Sequence, residues 1–189
     1  MPLPTAASLR AAALHYLARY ATSSGNLRRM LRRRIARAAL QHPELDAAAQ
    51  ARLCAEAEQI IAACIAQKYL DDAAYAAQQT RRARAQGKSA RFVVARLRQK
   101  GLTPPQIAAA LDTIDKAETA ATGAETTAPG DPEYQAALRL ARRRKLGPYR
   151  ATPGDAAQIR RDYATFARAG FSSTIARRVL QADLDEEEG

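Results

Sequence analysis

RLRQKGLTPPQIAAAL, residues 96–111, returns in altered form as TFARAGFSSTIARRVL, residues 165–180. Superposed, Leu97 meets Phe166, Gly101 meets Gly170, Leu102 meets Phe171, Thr103 meets Ser172 and Leu111 meets Leu180. Thr103-Pro104-Pro105-Gln106 has the form of a capping box: the threonine accepts from the backbone N–H of Gln106, and the glutamine side chain reaches back. The two prolines fill first-turn positions that need no internal donor. Leu102 and Ile107 flank the cap as a hydrophobic staple, and Gly101 supplies the left-handed residue that ends the preceding helix. The phrase therefore encodes a helix–turn–helix corner. In its second occurrence Gly170, Phe171 and Ser172 repeat the stop, the apolar anchor and the cap.

Around each corner the helices fall in threes. In the middle stretch Asp71 or Asp72 caps a helix that runs to about Gln86 and ends at Gly87. Ser89 caps the helix carrying Val93 and Leu97, and a third carries Ile107, Leu111 and Ile114. In the last stretch Asp131-Pro132 opens a helix closed by Gly147-Pro148. Thr152-Pro153 opens the next, with Ile159, Tyr163 and Phe166 on one face and Arg160, Arg161 and Arg168 on the other. In the first stretch a helix over residues 6–21 carries Leu14 and Leu17, then Ser23-Ser24-Gly25-Asn26 breaks the chain. LRRMLRRRIARAAL follows: Leu27, Met30, Leu31, Ile35 and Ala38 share a face, and Arg34 projects into that apolar sector, where it must snorkel or find a partner. A long helix with Leu53, Ile60, Ile61, Cys64 and Ile65 completes the trio.

This organisation predicts an all-α fold, a tandem array of three three-helix, helix-turn-helix-like repeats, elongated or curved. The repeats occupy residues 6–70, with an extended insert, 71–116 and 131–182. KAETAATGAETTAPGD, residues 116–131, is small, polar and acidic, so 117–130 reads as a flexible linker. Residues 183–189, DLDEEEG, read as an acidic tail that frays.

Alanine dominates the 47% of apolar residues and aromatics are only 5%, so each repeat buries little area and the core is thin. The formal net charge is +11, and its distribution is informative. Residues 1–70 carry +6, 71–116 carry +5 and 131–182 carry +7, whereas 117–130 with 183–189 carry −7. An excess that recurs in every repeat points to a polyanionic partner. No apolar run approaches the roughly 20 residues that span a bilayer, and MPLPTAAS lacks the features of a signal peptide. A soluble, cytoplasmic protein is expected, with no membrane partner.

Cys54 and Cys64 lie ten positions apart on one expected helix, about 15 Å along its axis, too far for a disulfide. Neither His15 nor His42 makes a metal spacing with them. No Gly-rich phosphate loop, no Ser/His/Asp or Cys/His arrangement and no paired carboxylates in a cleft are found; Asp71-Asp72 reads as a helix cap. The chain is not expected to be an enzyme or to hold a cofactor.

YLDDAAYAAQQTRRARAQGKSARFVVARLRQKGL, residues 69–102, resembles the middle repeat of the RecX family, regulatory proteins of the RecA recombinase. The matching elements are Tyr69-Leu70-Asp71-Asp72, Tyr75, Arg81-Arg82-x-Arg84, Gly87-Lys88 and Leu97-Arg98-Gln99-Lys100-Gly101. DPEYQAALRLARRRKLG and YATFARAGFSSTIARRVL resemble the family's last repeat. LRRMLRRRIARAAL resembles the first, although residues 38–58 hold a longer Ala-rich stretch where the family has a short Lys/Arg-Gly turn.

The resemblance implies a monomer that lodges in the groove of the RecA–single-stranded-DNA filament. There it modulates, most simply inhibits, filament growth, ATP hydrolysis and strand exchange in recombination, DNA repair and the SOS response. Contacts to RecA and, weakly and electrostatically, to single-stranded DNA are expected from three groups. The middle repeat offers Arg81, Arg82, Arg84, Lys88, Arg91 and Lys100. The last offers Arg142, Arg143, Arg144, Lys145 and Arg150, and the first offers Arg28, Arg29, Arg32 and Arg33. Two alternatives stand beside this reading: a helix-turn-helix protein acting on DNA directly, and a helical scaffold, which leaves the charge unexplained.

Overall fold

In the computed structural model the described residues are 3–122 and 131–182, and among them all regular structure is helical. Capping chemistry sets the starts. α1 (Ala6–Leu17) opens on a Thr5–Ser8 capping box, α2 (Ser24–Ala39) on Ser23 and α3 (Ala47–Ala66) on Asp46. α4 (Asp72–Ala85) is capped by Asp71, whose carboxylate accepts from the Ala74 N–H at 2.8 Å. α5 (Ala90–Gln99) is capped by Ser89, and α6 (Pro104–Thr122) begins with the two prolines. At the Thr103 corner Gln106 accepts from both the Thr103 N–H and its hydroxyl, at 2.8 and 3.0 Å.

α7 (Pro132–Arg144) opens on Asp131 and stops on Lys145 in the left-handed conformation. A 3-10 turn, Gly147–Tyr149, follows, then α8 (Ala156–Arg168) and α9 (Ser173–Leu180). The opening of α8 differs from expectation: Asp155 and Gln158 form the capping box, three residues beyond Thr152. α1 is also shorter than expected, ending at Leu17, and it buries Leu9 and Ala13 while Leu14 stays exposed. The left-handed stops at Gly87, Gly101 and Gly170 have φ of 66°, 80° and 89°.

α6 runs on to Thr122, so residues 117–122, expected as linker, are helical. Alanine favours helix there, and Glu118 pairs with Arg139 of α7 at 2.8 Å. The rest of the expected linker and the acidic tail lie outside the described residues.

The chain divides into two compact units that cut across the repeats read from the sequence. The first combines residues 3–76 with 98–106. The second combines 77–97 with 107–122 and 131–182. In the first, Leu9 and Ala13 of α1 pack with Leu27, Leu31 and Ile35 of α2 and with Ile60, Ile61 and Cys64 of α3. The second is built on Ala136, Ala137, Leu140 and Ala141 of α7, with Phe166, Phe171, Ala176 and Val179. Phe166 and Phe171 meet edge to face, centroids 5.8 Å apart.

Both units use one device. In the second, the buried Ser89 caps α5 and donates to the Ala169 carbonyl at 2.9 Å, just before Gly170. In the first, the buried Ser23 caps α2 and donates to the Lys100 carbonyl, just before Gly101. An acid from the start of a further helix completes each. Asp72 accepts from the Ser24 N–H and hydroxyl at 2.7 and 2.6 Å, and Glu133 accepts from the Ala90 N–H at 3.0 Å. A carboxylate at a helix N-terminus complements the dipole and its unsatisfied donors.

Candidate functional site

Cationic side chains are abundant in both units, and what separates them is whether the fold already uses their charge. Arg84, near the end of α4, is 1% exposed. Its guanidinium forms a two-pronged pair with Asp115, at 3.1 and 2.8 Å, and reaches Glu133 at 2.5 Å. Burial by itself lowers the pKa of this group; the hydrogen bonds and charges of Asp115 and Glu133 outweigh it and hold the pKa above the ordinary arginine value. Arg150 is held similarly, with Nη2 at 2.8 and 3.0 Å from the buried Asp162, whose carboxylate also accepts from the Gly147 N–H at 3.0 Å. Both arginines were expected as partner contacts. In the structure Arg84 ties α4, α6 and α7 together, and Arg150 ties the 3-10 turn to α8.

Other expected contacts are partly committed. Arg28 and Arg32 share Glu58 of α3 at 2.8 and 3.2 Å. Arg29 donates to the Gln99 carbonyl and to Asn26. Lys88 sits 4.8 Å over the Phe92 ring, and Arg142 lies 5.5 Å over Tyr149. Lys100 is half-buried, and its backbone carbonyl takes the Ser23 hydroxyl.

A smaller set remains. Arg81 and Arg82 on α4, Arg91 on α5, and Arg143, Arg144 and Lys145 at the end of α7 are exposed, as is Arg33 on α2. None has a carboxylate within ion-pair distance among the described residues. Cations in a last helical turn complement the dipole by about 0.3–1 kcal/mol each, but that contribution needs no uninterrupted Arg-Arg-Arg-Lys run.

Arg34 was expected to project into the apolar sector of α2, though not as a site residue. It is half-buried, and its Nε is buried with no hydrogen-bond partner among the described residues. Its position in the apolar sector of α2 was the available signal. Arg178, 4.0 Å over the Tyr134 ring, left none.

Among the described residues no group of three or more His, Cys, Asp or Glu side chains could hold a metal ion, and no helix is long and apolar enough to cross a membrane. Cys54 and Cys64 are both free thiols.

Residues 71–111 match the family model described as the second three-helix domain of RecX. A regulatory protein RecX of Myxococcus xanthus is 35% identical over 176 residues, spanning 93% of this chain and 85% of the relative. The chain belongs to the RecX family. The regulatory protein RecX of Agrobacterium fabrum is 33% identical over 121 residues, 64% of this chain and 56% of that one. A crystal structure of regulatory protein RecX aligns with 94% of this chain and 74% of its own, at a TM-score of 0.56 and 21% identity, and shares the helical repeat fold. The two named relatives are both regulatory proteins.

Proposed function

We propose that this RecX-family protein acts in the cytoplasm, without chemistry of its own, by binding the RecA–single-stranded-DNA filament and restraining its growth, ATP hydrolysis and strand exchange. The observation that carries the reading is that, of the cations expected as contacts, Arg33 in the first unit and Arg81, Arg82, Arg91, Arg143, Arg144 and Lys145 in the second are exposed with no carboxylate at ion-pair distance among the described residues. The surrounding fold neutralises Arg84 and Arg150 with acids of its own, yet among the described residues it leaves these seven without an ion pair. An unmatched positive surface attracts a polyanion and releases its counterions. Several weak contacts along a polymer add through effective concentration, so no single residue need dominate.

The test measures RecA ATPase on poly-dT with this protein added across a salt series. The wild type should lower the ATPase, and Arg143→Gln/Arg144→Gln/Lys145→Gln should weaken that effect and flatten its salt dependence, by about 0.7 in log–log slope for each lost phosphate contact. Unchanged ATPase together with equal affinity for bare poly-dT would overturn the reading. Preference for one duplex sequence would replace it with direct DNA recognition.

A further inference from the structure

Two cavities meet between α1 and α2 of the first unit. One, of about 400 Å³, is lined by Arg29, Arg33, Arg34 and Arg37, with Asn26 beside them. The other, of about 600 Å³, is lined by Ser8, Ala11, Ala12, His15, Arg19 and Tyr20. Tyr16, Met30 and Arg34 belong to both walls and form the seam. No carboxylate lines either cavity among the described residues.

The arginines of α2 concentrate on one side of that seam and Tyr20 lies on the other, with His15 and Arg19 beside it. On one side Arg33, Arg34 and Arg37 have no ion-pair partner among the described residues, although Arg28 and Arg32 of the same helix share Glu58. Arg34 carries the buried Nε that lacks an acceptor among the described residues, and a buried donor of a charged group favours any acceptor that can enter. On the other side Tyr16 and Tyr20 stand with centroids 5.1 Å apart and planes tilted by 45°, and Tyr20 is 56% exposed. Ala11 and Ala12 line the same cavity as those rings. A ligand that satisfies both halves carries several negative charges at one end and a planar aromatic ring at the other.

We propose that the joined cavities bind a free nucleoside polyphosphate, its phosphates held by Arg33, Arg34 and Arg37 and its base laid against Tyr16 and Tyr20. Small-ligand sites of several hundred Å³ with few, converging polar groups are of this size and kind, and guanidinium forks suit phosphate oxygens. A single-stranded polymer calls for an open track with successive stacking platforms; here one aromatic pair sits beside one arginine group, which suits a single nucleotide. An acidic peptide meets the arginines but leaves the tyrosine floor uncovered. The proposal does not depend on the filament reading, and its test contains no RecA.

Isothermal titration calorimetry of the full chain at low salt, with ATP, tripolyphosphate and adenosine, decides it. ATP should bind at least about tenfold more tightly than tripolyphosphate, the worth of a modest base–aromatic stack, and adenosine should bind more weakly than both. Tyr20→Ala should bring ATP down to the tripolyphosphate level and leave tripolyphosphate unchanged. Arg34→Gln and, should that variant fail to fold, the exposed Arg37→Gln should weaken both anions, whereas Arg160→Gln on α8 should weaken neither. A dT oligomer at equal phosphate concentration should compete with ATP less well than tripolyphosphate does. The proposal fails if folded wild type does not bind ATP, if ATP and tripolyphosphate bind equally, if Arg160→Gln matches the α2 variants, or if the oligomer displaces ATP better than tripolyphosphate does.

Discussion

The Ser89 hydroxyl donates to the carbonyl of Ala169, 80 residues away, while its oxygen accepts from the Phe92 N–H at 3.1 Å. One fully buried hydroxyl thereby caps α5 and fastens it to the turn between α8 and α9. Ser23 does the same for α2 and the turn between α5 and α6. Ser89→Ala and Ser23→Ala should each cost about 1–3 kcal/mol, because a cap is lost and the receiving carbonyl loses its hydroxyl donor. Urea denaturation of the two variants checks this. A loss below a few tenths of a kcal/mol in either would show that the bridge is incidental.

Gly25 lies inside α2, where replacing glycine by alanine ordinarily stabilises a helix by up to about 1 kcal/mol. Here an added methyl would lie 2.6 Å from the Gly101 carbonyl oxygen and 2.8 Å from its Cα. Backbone cannot give way as a side-chain tip can, so Gly25→Ala should destabilise by about 1–3 kcal/mol. Thermal unfolding reads the sign directly, and a raised Tm would refute the close crossing.

Arg84→Met leaves Asp115 and Glu133 without the cation they share, and should cost about 3–5 kcal/mol, as removing one partner of a buried pair does. Arg81→Ala and Arg82→Ala, exposed and without ion pairs on the same helix, should stay within about 0.5 kcal/mol of wild type. Adding Asp115→Asn and Glu133→Gln to Arg84→Met should recover part of the loss. Equal effects of all three single arginine variants would contradict the distinction between structural and surface cations.

Burial pushes the Cys64 thiol above its ordinary value near 9.0, although Arg10 pulls the other way. A pKa raised in the folded state means the folded chain keeps its proton longer than the unfolded chain does. The corresponding stability is complete below about pH 9 and is lost as pH rises through the folded value. Cys64 should therefore react with a thiol reagent more slowly than the half-buried Cys54 at pH 8. Cys64→Ala should flatten the alkaline fall in stability. Faster labelling of Cys64 than of Cys54 would count against its burial.

Local chemistry made much of the fold legible beforehand. Asp71, Ser89, Asp131 and Ser172 act as helix caps, and Gly87, Gly101 and Gly170 adopt left-handed stops, because a cap or a positive φ concerns residues within a few positions of one another. The candidate contacts were less legible. Arg81, Arg82 and Arg84 look alike in a string, but Arg84 alone turns to acids 31 and 49 residues away. Likewise the linker's first six residues became helix once Glu118 met Arg139.

The amino-acid order by itself determined that the chain is helical, where its helices stop, and that one corner is written twice. Periodicity and capping act over three or four residues, so a linear string contains them. Tertiary structure alone decided that the compact units straddle the written repeats, and which arginines are consumed internally. Those outcomes depend on groups separated by dozens of residues, whose meeting is settled by packing rather than by neighbouring letters.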